Sequence, residues 1–185
     1  MANTEIHRAG SLAETAEEIL NRRAESLARE TIEEEAAHRL ALLLFRIAEE
    51  WYCVRVSDVR EIFQEYDITT VPGVPDYILG VVNVRGEILS ITDPATLMHI
   101  GAISLDGVEQ PPAIVIVNGE VATAIVVDEI GDIAEIPDDS VEPPISIIDR
   151  AQAAFISGSV HVGDNMVGLI NIERMLEPVI TGGRH

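Results

Sequence analysis

Lysine is absent from the 185 residues: all 12 basic residues are arginine, against 32 acidic ones, for a formal net charge of −20. Without that amine there is no phosphate-loop lysine, no Schiff-base lysine and no kinase-type strand lysine. A surface this acidic repels phosphate backbones, so nucleic acid is not an expected partner. The charge reads first as solubility or adaptation to a salty cytoplasm, and second as steering towards a basic partner. Cysteine is nearly absent as well. Cys53 alone permits neither an intramolecular disulfide nor a thiolate metal cluster, and within WYCVRV it reads as a small buried hydrophobe. Long apolar runs are missing, since stretches such as residues 40–45 are far too short to span a bilayer, and the N-terminus lacks the basic and apolar regions of a signal peptide. The expectation is a soluble, cytoplasmic protein that does not insert into a membrane.

Recognisable catalytic patterns are lacking too. His7, His38, His99, His161 and His185 are not paired at ligand spacing, there is no GxSxG elbow and no GxGxxG, and the carboxylates do not follow a calcium loop. Asp128-Glu129 and Asp138-Asp139 read as edge charges that discourage sheet-to-sheet association rather than as acid–base pairs. No nucleophile, base, metal or cofactor is expected.

What the chain does contain changes character near residue 40. Residues 11–39 are rich in Ala, Glu and Arg and free of Gly and Pro, which suits a helical arm. Ser11 with Glu14, and Thr31 with Glu34, form capping-box starts. Acid-before-base pairs such as Glu18 with Arg22 and Glu25 with Arg29 each add about 0.3–0.5 kcal/mol. From Leu40 onward the pattern is β, with Asn118-Gly119 a strong hairpin signal and prolines marking the breaks. Short strands without regular βαβ alternation argue for barrels or sandwiches.

A stretch of the β part occurs twice. With an offset of 78, PDYILGVVNVRGEILSITDPATLM aligns without a gap on AAFISGSVHVGDNMVGLINIERML. Tyr77 falls on Phe155, Gly80 on Gly158, Ile88 on Met166 and Asp93 on Asn171. Each copy reads as aromatic, glycine, strand, tight turn, strand and a polar helix cap. The expected organisation is an arm over 1–39, a β domain over 40–180 with subdomains of about 40–110 and 111–180, and a tail over 181–185. The turns differ, Arg85-Gly86 in one copy and Gly163-Asp164 in the other, so closing the hairpin does not itself require arginine.

The run TTVPGVPDYILGVVNVRGEILSITD resembles the signature of the CheW-like chemotaxis coupling proteins. The matching residues are Pro72, Pro75, Tyr77, Gly80, Asn83, Arg85, Gly86 and Asp93. EEWYCVRVSDVREIF, VATAIVVDEIGDIAEIP with Glu142-Pro143-Pro144, and FISGSV followed by MVGLINIERML continue the resemblance over about residues 40–178. Ser90 and Val84 depart from the family's commoner proline and leucine, and the arm is longer than a minimal coupling protein needs.

The resemblance implies two intertwined five-stranded β-barrels and a non-catalytic adaptor. Its partners would be the regulatory domain of a histidine autokinase and the cytoplasmic tips of chemoreceptors. It further implies a partner-binding site of Asn83, Arg85, Gly86 and Glu61, with Glu61 the carboxylate that positions Arg85. Gly80, Asp93, Asn118, Gly119 and Gly158 are expected at structural turns and caps. Three other readings stand beside it: a coupling protein of a chemosensory system for surface motility, a stand-alone ligand-binding β-barrel, and a hydrolase using Asp128, Glu129 or His161.

Overall fold

The strands can be followed from burial on their two faces. In a computed structural model that describes residues 21–23, 39–103, 105, 110–144 and 150–181, β1 (Arg39–Ile47) and β2 (Glu50–Arg55) form an antiparallel hairpin. Their apolar residues run on without alternation because both faces are covered, as expected of a strand inside a protein. Leu43, Phe45, Tyr52 and Val54 enter one core cluster, while Leu42 and Cys53 enter another. The chain then crosses through a short turn, Val56–Asp58, into β3 (Val59–Phe63), the hairpin β4 (Ile78–Val84) and β5 (Glu87–Thr92), and the short helix α1 (Pro94–Leu97). A second hairpin, β6 (Ala113–Asn118) and β7 (Val121–Val126), leads to β8 (Glu129–Pro137). After it come α2 (Arg150–Ala153), the hairpin β9 (Ile156–Val162) and β10 (Asn165–Ile170), and α3 (Ile172–Thr181).

These strands make two five-stranded sheets, sheet A in the order β8-β1-β2-β10-β9 and sheet B in the order β3-β6-β7-β5-β4. The protein is therefore mainly β. Both sheets have the same plan: a hairpin (β1–β2 or β6–β7) lies between a lone strand and a second hairpin, and one parallel seam joins the two hairpins. Strand membership crosses residue 110 in both directions. The first hairpin of each half of the chain sits in the sheet that holds the other half's remaining strands. The interior of both sheets is occupied by valine, isoleucine and leucine side chains, which takes up the space a ligand-binding barrel needs.

The repeat at offset 78 is physical. Asp93 N–H donates to the Tyr77 carbonyl (2.8 Å) and Asn171 N–H to the Phe155 carbonyl (2.7 Å). Val81 exchanges backbone hydrogen bonds with Thr69, and Ser159, its equivalent, with Glu142. Both hairpins also carry an irregularity in register, between Ile78 and Gly80 in one and between Ile156 and Gly158 in the other. Gly80 and Gly158 are needed for the same reason: a Cβ on Gly80 would overlap the Thr69 carbonyl oxygen, and one on Gly158 would lie 2.8 Å from that of Glu142.

Asp93 caps α1 from a buried position. Its carboxylate accepts from Ala95 N (2.8 Å), Thr96 N (3.2 Å), Thr96 Oγ1 (2.7 Å) and Ile103 N (3.1 Å). Pro94 at the first helical position has no N–H to satisfy. Asn171 plays the lighter version of this role, accepting from Arg174 N at 3.2 Å. Asn118-Gly119 lies at the β6–β7 turn, but Asn118 is the last paired strand residue, opposite Val121, and Gly119 alone takes the positive φ of +61°. The sequence divides into two units at Arg39. Of the expected arm, Asn21–Arg23 are helical; the capping boxes and the other charge pairs lie outside the described residues.

Candidate functional site

The β4–β5 turn brings together all four residues of the expected site. Val84 pairs with Glu87, leaving Arg85-Gly86 as a two-residue loop in which both residues have positive φ, +53° and +92°. Two positive φ values are what a type I′ turn requires, and its twist matches that of the flanking strands. Glycine adopts this geometry freely. An L-residue such as Arg85 does so at a cost of about 1–2 kcal/mol. Asn83 compensates in part, since its Oδ1 accepts the Gly86 N–H at 2.8 Å and closes the turn from the side-chain side.

From that tip Arg85 Nε reaches Glu61 Oε2 at 2.8 Å. Glu61 belongs to β3 and Arg85 to the β4–β5 tip, so the ion pair links the two terminal strands in the order of sheet B. The partners are unequal, for the Glu61 side chain is 20% exposed and that of Arg85 84%. Arg60 lies next in the chain of charges, 4.0 Å from Glu61 Oε1 through Nε and 2.9 Å from Glu87 Oε2 through Nη1. Such exposed pairs contribute about 0–1 kcal/mol each to stability. What they fix is direction: Glu61 holds the root of the guanidinium while most of the side chain faces solvent. Beside this network, Ile88 and Ile62 are 63% and 45% exposed. Exposed apolar side chains on the strands that carry an oriented arginine and its partner make the composition of a protein-docking surface.

The equivalent tip in sheet A lacks the arrangement. Gly163 (φ +60°) stands for Arg85, His161 for Asn83 and the exposed Met166 for Ile88. β3 and β8 also correspond, with an offset of 71, so VSDVREI falls on VDEIGDI and Asp132 takes the place of Glu61. Asp132 forms no ion pair among the described residues. The molecule thus presents one frame twice and arms it with arginine once.

Asp128 and Glu129, two of the three residues of the hydrolase reading, have structural work. Asp128-Glu129 is not a mere pair of edge charges: Asp128 Oδ2 accepts the Ala48 N–H at 2.6 Å, and Glu129 Oε2 pairs with Arg46 Nε at 3.2 Å. Together they pin the β1–β2 turn, where Ala48 has φ +54°. Tyr52 donates to Glu50 Oε2 (2.6 Å) and accepts from Gln152 Nε2 (2.7 Å); burial and the neighbouring carboxylate push its hydroxyl well above the ordinary range. Burial pushes the Cys53 thiol up to about 12, which leaves it a poor nucleophile. Among the described residues no three His, Cys, Asp or Glu side chains are placed to hold a metal ion. No helix among them is long and apolar enough to cross a membrane.

Comparison with known proteins agrees with this architecture. The family model of the CheW-like domain matches residues 41–179. A probable chemotaxis protein CheW from Rhizobium etli is 31% identical over 134 residues, which are 72% of this chain and 85% of the relative. The chemotaxis protein CheW of Klebsiella aerogenes is 29% identical over 150 residues, 81% of this chain and 86% of that protein. Among solved structures, the scaffolding protein TtCheW from Thermoanaerobacter tengcongensis superposes with a TM-score of 0.65 at 26% identity, covering 71% of this chain and 88% of that one.

Proposed function

The chain belongs to the CheW-like domain family, and from that premise we propose that it couples a chemotaxis histidine autokinase to the cytoplasmic tips of chemoreceptors, with the Arg85 tip of sheet B as part of its docking surface. As a member of this family of scaffolds it is an adaptor and not an enzyme. Its output is position: by holding kinase and receptor together it lets the state of one bias the other, which is a coupling free energy between two binding events. Such a protein works in the cytoplasm, beside receptor arrays, and needs no cofactor.

The observation that carries the site is the combination at one tip. An arginine held in left-handed geometry is anchored through Nε to Glu61 and mostly exposed, and the residues that follow Glu61 and Glu87 in their strands, Ile62 and Ile88, are exposed as well. Arginine's planar fork of donors suits a carboxylate or a row of backbone carbonyls on a partner. The test is a titration of the full chain against the regulatory domain of a histidine autokinase from the same genome, with and without a receptor-tip fragment. Saturable binding that weakens at least tenfold in Arg85→Ala is expected. Binding unchanged by the substitution would remove the tip from the interface. Absence of binding to kinase and receptor alike would remove the coupling role.

A further inference from the structure

Each sheet is assembled from both halves of the chain. The first half gives β1 and β2 to sheet A and β3, β4 and β5 to sheet B; the second gives β6 and β7 to sheet B and β8, β9 and β10 to sheet A. In sheet A the donated hairpin lies between β8 and β10, and its parallel seam is two register pairs long, Tyr52 with Gly168 and Cys53 with Leu169. The seam in sheet B is its counterpart, Ala124 with Ile91 and Ile125 with Thr92. Half recognises half through the same arrangement twice, so any molecule that carries one half carries the binding surface for the other.

We propose that a second copy of this chain fits that surface: two copies exchange residues 129–181, each completing the other's sheet A. The hinge is residues 127 and 128, all that separates Val126 at the end of β7 from Glu129 at the start of β8. Hinges this short favour exchange between chains, because they have little length with which to fold back. One backbone bond belongs to the hinge alone, Val127 N–H to the Pro112 carbonyl at 3.0 Å. The bonds beyond it all lead to the β1–β2 turn: Asp128 N–H to the Arg46 carbonyl (2.9 Å), Ala48 N–H to Asp128 Oδ2 and Arg46 Nε to Glu129 Oε2. In the exchanged dimer these three form again between copies, as do the β8–β1 and β2–β10 ladders. The monomer and the dimer therefore contain the same contacts and differ in hinge conformation and chain concentration. All five strands of sheet B lie ahead of the hinge, so the Arg85–Glu61 tip stays whole within each copy and the dimer presents two of them.

The full chain is unfolded in guanidinium chloride and refolded at about 1 mM and at about 1 μM, a span that reaches the millimolar effective concentration of a short tether at its upper end and lies far below it at the other. Mass by light scattering is expected to show twice the 20.1 kDa chain mass after refolding at the higher concentration and a single chain after the lower. The isolated dimer, diluted to micromolar, is expected to persist for the time the native protein takes to unfold. A chain that is monomeric at both concentrations overturns the proposal, and so does a dimer that dissociates on dilution within seconds, since that one is held by surfaces alone. A variant with Gly-Ser-Gly inserted between Val127 and Asp128 is expected to lower the dimer fraction at least tenfold; an unchanged fraction would place the exchange elsewhere and defeat the assignment of the hinge.

Discussion

Replacing Arg85 by glycine separates its cost from its use. Three effects act on stability. Relief of the left-handed geometry at φ +53° gains about 1–2 kcal/mol. The added freedom of glycine in the unfolded chain costs about 0.4–1 kcal/mol. Loss of the exposed pair with Glu61 costs about 0–1 kcal/mol, at the low end because the Arg85 side chain is 84% exposed. The sum lies between about −1 and about +1.6 kcal/mol, which is a change in melting temperature of about 6 °C at most for a domain of this size. Partner binding follows a different ledger. An arginine at the centre of an interface is worth 1.4 kcal/mol or more, so Arg85→Gly is expected to weaken kinase or receptor binding at least tenfold. The assay is a thermal melt of Arg85→Gly beside the wild type, followed by the binding titration on the same samples. A variant destabilised by more than 2 kcal/mol with full binding would refute the reasoning, because the arginine would then serve the fold.

Gly80→Ala places a methyl group against the Thr69 carbonyl at φ +147°, and a loss of about 3 kcal/mol or more is expected in denaturant unfolding; a loss under 1 kcal/mol would mean that the Thr69–Val81 bridge can shift. Asp93→Ala removes a buried cap that accepts four hydrogen bonds and should cost roughly 2–4 kcal/mol, whereas Asn171→Ala, at the equivalent but lighter cap, should cost about 1 kcal/mol; equal costs would contradict the difference in bonding. Cys53 and Tyr66 are both pushed up to about 12 by burial, so the unfolded chain releases these protons first. Their contribution to stability is complete below about pH 9, the ordinary thiol value, and is lost as pH rises towards 12. Melts between pH 8 and 11 should stay level to about pH 9 and then fall, and Cys53→Ala should flatten the first part of that fall.

Much of this could be read in advance because local chemistry repeated. The offset of 78 was legible because its key positions do the same work in both copies, Gly80 and Gly158 admitting a crossing carbonyl, Asp93 and Asn171 capping a helix. Arg85, Gly86, Asn83 and Glu61 were placed together by resemblance to a family, and nothing in the spacing of Glu61 from Arg85 would have paired them. The second correspondence, VSDVREI with VDEIGDI at offset 71, escaped because only valine, an acid and isoleucine persist through it. Which strands share a sheet was equally hidden, since membership rests on two parallel seams of two pairs each and on the pairing of β8 with β1 and of β3 with β6, none of which leaves a pattern within a strand. The positive φ of Arg85 and Ala48 was out of reach because neither residue announces it; turn length and strand twist impose it. Asp128, which reads in the sequence as an edge charge, holds Ala48 from 80 residues away.

The duplicated frame bears on why a chain with only 12 basic residues places one at this tip. The two turns demand the same left-handed geometry at their first position, φ +53° at Arg85 and +60° at Gly163. Glycine meets that demand without steric cost, so the sheet A tip shows the hairpin closing on its own terms. Arginine at the other tip adds about 1–2 kcal/mol of strain, and its ion pair returns about 0–1 kcal/mol. Folding therefore does not account for Arg85. Nor does charge balance on the surface, since any exposed position would neutralise Glu61's neighbourhood without the strain. What the tip position alone provides is projection: the side chain leaves the turn 84% exposed, Glu61 takes its Nε, and among the described residues the guanidinium makes no other ion pair. A group held outward at a cost to the fold has its compensation in something that binds it.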